Sequence, residues 1–214
     1  MDALTNIFMK KCKIICDSFS SRNINCFYFD KTEQAIEKVL SLTETGDSIG
    51  FGGSMTIIDC GLIDVLRDGK YDIIDRYKPG LTSEQIYDMR VKSLTCDVFI
   101  TSTNAVTMDG KLVNIDGIGN RVSAMTFGPK KIIVIAGRNK ITENVESAIT
   151  RIREIAAPAN AIRLGVNTPC AKIGICDEKA CFPPDRLCST ISIIESQHKK
   201  DRLNVILINK DYGF

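Results

Sequence analysis

A chain of 214 residues, 44% hydrophobic and 25% charged, has the composition of a soluble globular protein and the length for one sizeable domain. A net charge of +2, few aromatic residues (7%) and no long like-charge block argue against a nucleic-acid surface. No run approaches the ~18 apolar residues of a membrane span, and the N-terminal segment, with lysines in its middle, fails as a secretory signal, so a cytoplasmic location is expected.

In chain order, residues 1–22 read as an amphipathic helix with apolar positions Ile7, Phe8, Ile14, Ile15 and Phe19. Residues 26–29 form a short strand. Asp30 or Lys31-Thr32 then opens a helix with Ala35, Ile36, Val39 and Leu40 on its apolar face. A strand at 48–51 leads through a Gly-Gly-Ser turn into a helix over 55–67. A strand at 71–74, a helix at 82–94 and a strand at 98–101 follow. A short strand or hairpin around 112–115, a helix at 120–127 and a buried strand at 131–136 come next. The spacing then predicts a helix over 144–156, a loop-rich stretch over 158–187, and two strands, 191–194 and 203–208, that read as a hairpin. Short apolar strands alternating with helices indicate an α/β fold with a layered, mostly parallel sheet and a C-terminal antiparallel edge. No repeat or linker divides the chain, so 1–214 is one domain.

Two glycine-bearing bends stand out. Gly52-Gly53-Ser54-Met55-Thr56 lies where a strand hands over to a helix, and unpaired N–H groups at such a point favour an anion. Met55 occupies a position that a dinucleotide fingerprint reserves for glycine. The plainer alternative is a tight turn with Ser54 as a helix cap. The second bend gathers Thr103, Asn104, Asp109, Asn114, Asp116, Gly117, Gly119, Asn120 and Arg121 after the 98–101 strand, where ligands bind in open parallel sheets. Arg121, or Arg138 beyond the next strand, could clamp a carboxylate or phosphate. Here the alternative is a hairpin whose Asp-Gly pairs make turns. His198 is the only histidine and lies in a charged stretch, which argues against a Ser-His or Cys-His nucleophile. Proton transfer would fall to a carboxylate, with Asp116 the candidate.

Nine cysteines cannot all pair within one chain, and without an export signal thiols stay reduced. Cys12, Cys16, Cys26, Cys60 and Cys96 read as small core hydrophobes. Cys170, Cys176, Cys181 and Cys188 crowd one loop and are candidates for zinc or an iron–sulfur cluster, although no C-x-x-C pair occurs among them. A loop packed through buried thiols, or a redox-labile surface, is the alternative.

The 52–56 turn, Asn104-Ala105-Val106-Thr107, Gly110 with Leu112-Val113-Asn114, and Asp116-Gly117 with Gly119-Asn120-Arg121-Val122 resemble the lactate-utilisation (LUD) domain family. Phe127-Gly128-Pro129-Lys130-Lys131 and Gly137-Arg138-Asn139-Lys140 extend the likeness, and Thr168-Pro169-Cys170 with Pro184-Asp185-Arg186 resembles its short, stand-alone branch. The resemblance implies a fold like the NagB/RpiA/CoA-transferase group. It also implies a link to oxidation of L-lactate to pyruvate with iron–sulfur or flavin-linked partners. The expectation is a protein that binds a small anionic metabolite, a 2-hydroxy acid or a phosphate- or CoA-bearing ligand. In that reading Gly52, Gly53, Ser54 and Thr56 cradle the anion, Asn104, Asp116 and Asn120 orient it, and Arg121 or Arg138 neutralises it; Thr103, Asn114, Gly117 and Gly119 complete the pocket. The rival reading is a non-catalytic accessory subunit that binds metal, or docks an iron–sulfur partner, through the cysteine loop.

Overall fold

A computed structural model describes residues 2–214. Helix α1 (Ala3–Ser20) starts at Asp2, whose carboxylate accepts the Thr5 N–H at 3.0 Å. Its buried stripe is Phe8, Cys12, Ile15 and Phe19, spaced as one helical face, while Ile7 and Ile14 are turned out at 51% and 55% exposure. The helix was expected from periodicity, but two of its five expected apolar contacts lie outside the core. Strand β1 (Asn25–Phe29) returns beneath α1, and Cys16 and Cys26, expected as reduced thiols, are joined in a disulfide with Cα atoms 4.9 Å apart. The turn between helix and strand brings these two positions within bridging range, which spacing along the chain does not reveal.

Helix α2 (Thr32–Ser41) and strand β2 (Ser48–Phe51) follow as expected. The single helix expected over 55–67 is two short ones, α3 (Met55–Asp59) and α4 (Leu62–Leu66). Gly61 between them takes a left-handed φ of +74°, which stops α3 and restarts the chain in a new direction. Strand β3 (Asp72–Ile74), helix α5 (Ser83–Lys92, opened by a Thr82–Gln85 capping box) and strand β4 (Val98–Ser102) complete this half.

The remaining elements are β5 (Ala105–Thr107), β6 (Leu112–Asp116), α6 (Asn120–Thr126), β7 (Lys131–Gly137), β8 (Ile141–Thr142) and α7 (Val145–Arg151). Helix α7 does not end before Pro158. Residues Ile152–Ala156 widen into a π turn, in which the Ala157 N–H reaches the Ile152 carbonyl, and α8 (Ala157–Leu164) carries the helix on. Proline has no N–H and crowds the carbonyl four residues back, and the widened turn gives it room. The expected loop therefore begins at Gly165 and contains a short helix, α9 (Pro169–Ile173).

Strands β9 (Thr190–Ile194) and β10 (Leu203–Ile208) do not form the hairpin read from their adjacency. β10 enters the middle of a six-stranded parallel sheet ordered β1-β10-β7-β4-β2-β3, whereas β9 is the antiparallel edge of a second sheet ordered β8-β5-β6-β9. The parallel sheet carries helices on both faces, and β7 shows how. Ile132, Val134 and Ala136 pack with Phe8, Ile15 and Phe19 on one side, and Ile133 and Ile135 pack with Val39, Phe51 and Ile57 on the other. A strand buried on both faces needs a continuous apolar run rather than an alternation. Burial at about 25 cal/mol per Å² of apolar surface makes these two layers the main stabilising term.

Candidate functional site

A cleft of about 320 Å³ opens where β2 and β4 end, roofed by the π turn and α8 and flanked by the C-terminal residue Phe214. Gly53 and Ser54 from the first bend reach it, as do Thr103, Asn104, Asp116, Gly117, Asn120 and Arg121 from the second. The two bends, far apart in sequence, share one rim of the parallel sheet. Parallel register aligns the strand ends, so the β2–α3 and β4–β5 connections emerge side by side.

Within the first bend, the backbone is largely occupied. The Tyr77 hydroxyl donates to the Gly52 carbonyl at 2.8 Å and accepts the Ser54 N–H at 3.1 Å, and Ser54 Oγ accepts the Ile57 N–H at 3.4 Å. With α3 only five residues long, its dipole is slight. Ser54 therefore caps the helix, as the plainer alternative had it, and the turn contributes shape more than charge. Gly52 lies beneath the cleft surface: a Cβ there would overlap the Thr101 side chain and press on Arg121 Cγ at 3.2 Å.

Arg121 is buried and every one of its N–H directions ends on the protein. Its Nε faces Asp116 at 3.2 Å, Nη1 donates to the Ser102 carbonyl and to Asn114 Oδ1, and Nη2 donates to Asn104 Oδ1 at 3.0 Å and the Ile115 carbonyl at 3.2 Å. Asn114, fully buried, also accepts from Thr103 Oγ1 at 3.1 Å and the Asn104 N–H at 3.2 Å. Asp116 gives its other oxygen to the Gly119 N–H at 2.9 Å, closing a bend in which Gly119 has φ +85°. Arg121 thus acts first as a strut tying β4, β6 and α6 together, and Asp116 is its counter-ion.

Lys140, in a 3-10 turn after β7, enters the same cleft from below. Its Nζ donates to Thr56 Oγ1 at 2.8 Å, Ser102 Oγ at 3.0 Å and the Thr103 carbonyl at 3.2 Å. None of these is a carboxylate. Burial, and then the nearby Arg151 and Arg121 charges, pull its pKa from 10.5 down to about 7. Thr56 is the partner of this amine rather than part of the cleft wall, and it donates in turn to the Tyr212 carbonyl at 3.2 Å.

Three guanidinium groups complete the wall: Arg76 beyond β3, Arg90 on α5 and Arg163 on α8. None has a carboxylate within salt-bridge distance among the described residues. Burial depresses the Arg76 pKa, and the Arg90 and Arg163 charges push it the same way, against Tyr77 and Asp116. Arg163 leans on Asn160 Oδ1 at 2.7 Å, and Arg76 stacks toward the Tyr77 ring at 5.6 Å. Three guanidinium groups and a partly protonated amine, beside one Asp side chain that is already paired, make a positive hollow.

A family model of the LUD domain matches residues 12–208. The chain belongs to the LUD domain family. That family is associated with lactate utilisation. The LUD fold is also that of a DUF162 family protein from Deinococcus radiodurans, known from its crystal structure. The two chains are 13% identical and superpose with a TM-score of 0.54 over 94% of this chain and 98% of the other. No curated protein matches the chain. No helix among the described residues is long and apolar enough to cross a membrane.

Of the residues singled out by sequence in this LUD domain, Arg138 stands apart: it pairs with Asp211 at 2.9 Å on the surface and does not line the cleft. Asp109 also lies elsewhere, accepting from Thr107 and facing Lys111 at 3.3 Å, in keeping with the turn alternative. Lys140, Arg76, Arg90 and Arg163 were not singled out. Lys140 had one signal, its place in Gly137-Arg138-Asn139-Lys140 at a strand end, but the 3-10 turn decides which of the two cations turns inward. The three arginines come from elements that look like ordinary solvated surface in one dimension. The four clustered cysteines line an adjoining hollow, and burial raises Cys188 to about 11.

Proposed function

We propose that this LUD domain binds a small organic anion, a carboxylate or phosphate such as a 2-hydroxy acid or a phosphate ester presents, in the cleft above β2 and β4. The observation that carries the reading is the convergence of Arg76, Arg90, Arg163 and Lys140 on one hollow where, among the described residues, the only lining Asp or Glu side chain, Asp116, is held by Arg121. Cations gathered without counter-ions repel one another, and an anion relieves that repulsion while forming charge-assisted hydrogen bonds worth roughly 1.5–3 kcal/mol each. Asn104 and Asn120 sit on the rim to select hydroxyl or carbonyl groups beside the anionic one. The link of the family to lactate utilisation supports a 2-hydroxy or 2-oxo acid as ligand.

Lys140 gives the site a chemical option beyond binding. An amine with a pKa of about 7 is half neutral near physiological pH and exchanges a proton readily with a bound acid. Titration calorimetry with L-lactate, pyruvate, inorganic phosphate and a CoA thioester tests the proposal: saturable binding of at least one, weakened about tenfold or more in Arg76→Ala, is expected. Absence of binding by all four, with the protein folded, would sink it.

A further inference from the structure

We infer that the 168–188 loop is a binding site for a [4Fe–4S] cluster, held by Cys170, Cys176, Cys181 and Cys188. All four thiols line one hollow, although they come from a helix start, two loop positions and the approach to β9. None is disulfide-bonded, in a chain that does join Cys16 to Cys26. A cubane presents one iron to each of four thiolates, so its ligands surround a shared space rather than meet at a point. A single zinc ion needs ligand atoms converging at ~2.3 Å, and no three metal-ligating side chains among the described residues are grouped in that way. Four cysteines lining one hollow supply the donor set that a polynuclear occupant takes.

Other bonds already shape the loop. Arg186 donates from Nη1 to the Cys181 carbonyl and from Nε to the Cys188 carbonyl, both at 2.9 Å, so one guanidinium spans two of the ligand positions. Thr168 caps α9 through the Ala171 N–H at 3.3 Å, and its hydroxyl lies 3.3 Å from Cys170 Sγ. The frame is therefore set by hydrogen bonds that do not need the metal. Cys188 and Leu187 line both this hollow and the anion cleft, which places the cluster against the wall of the cleft.

The test is the full chain purified anaerobically, or reconstituted with mixed ferrous and ferric iron and sulfide. About four iron and four acid-labile sulfide per chain are expected, with the four loop cysteines protected from iodoacetamide until a chelator strips the iron. Cys176→Ser and Cys181→Ser should lose most of the iron, and Cys60→Ala, buried in a core cluster away from the loop hollow, should keep it. One zinc per chain without sulfide would overturn the inference. So would a metal-free chain whose loop thiols all alkylate in the folded state. If a serine variant does not fold by circular dichroism, the thiol protection of the wild-type chain still decides. The anion proposal is read separately, because Arg76→Ala should keep its iron.

Discussion

Lys140 Nζ lies 2.8 Å from Thr56 Oγ1, joining the turn after β7 to the first turn of α3 across 84 positions of sequence. That contact helps bury a lysine whose Nζ has only hydroxyl and carbonyl acceptors and no carboxylate in hydrogen-bond contact. The price is a depressed pKa, and the consequences for pH follow from its sign.

Below pH 7 Lys140 is already charged, so an anion binds without taking up a proton and affinity is flat. Above about 7 the free amine is neutral, and binding must protonate it. Affinity should then fall as pH rises, by up to about tenfold per unit, until the pH passes the raised pKa of the complex. Calorimetry in buffers of different ionisation enthalpy should show proton uptake at pH 8 and none at pH 6. Lys140→Met should bind more weakly and lose the pH dependence. A pH-independent wild type would remove Lys140 from the site.

The same shift acts on stability in the opposite sense to a salt-bridged lysine. Between about pH 7 and the ordinary lysine value of 10.5, the unfolded chain binds more protons than the folded one. This group's contribution should therefore make the domain more stable as pH rises through that window, with its full penalty felt below 7. Urea midpoints of wild type and Lys140→Met, compared at pH 6 and pH 9, should draw together at the higher pH.

Arg121→Ala should cost roughly 3–5 kcal/mol of unfolding free energy, because it strands the Asp116 carboxylate and two asparagine oxygens in a buried place. This variant is therefore a poor test of ligand contact. Arg138→Ala, which removes only a surface pair with Asp211, should cost less than about 1 kcal/mol and leave anion affinity unchanged. Chemical denaturation of both variants checks the contrast.

Arg76→Ala and Arg163→Ala should each weaken the anion by about tenfold or more while leaving the melting temperature of the free protein unchanged or slightly higher. Each removes one of several mutually repelling cations. If either variant melts well below wild type, that arginine is structural and its place in the site fails.

Gly52→Ala should destabilise the domain by about 1–3 kcal/mol, since the added methyl needs the space of Thr101 and Arg121. Gly69→Ala is a useful contrast: it strains a φ of +91° but meets no neighbour. Differential scanning calorimetry should show the Gly52 variant alone broadening the transition, through loosened packing around Arg121.

Alternation of short apolar runs with helical periods, read along the chain, was enough for the parallel α/β layering, for most strand positions, and for the meeting of the two glycine bends at one sheet edge. Each of these depends on local hydrophobic pattern and on the rule that parallel strands end together. Strand pairing beyond nearest neighbours was not legible: β10 inserts between β1 and β7, and β9 joins β6, because inter-strand hydrogen bonds carry no mark in the sequence of either partner. The helix through Pro158 was hidden for a related reason, since a π turn is a response to the proline and has no residue pattern of its own.

Polar residue types between buried strands were sufficient to locate the candidate site, but not to assign its charges. Arg121 looked like the ligand's counter-ion and is consumed by five contacts; Arg138 looked equivalent and faces solvent. The cations left unpaired in the cleft, Arg76, Arg90, Arg163 and Lys140, come from four separate elements. Whether a charged side chain is paired, exposed or stranded depends on distances of a few ångströms between segments remote in the chain. Only the packed tertiary structure sets those distances.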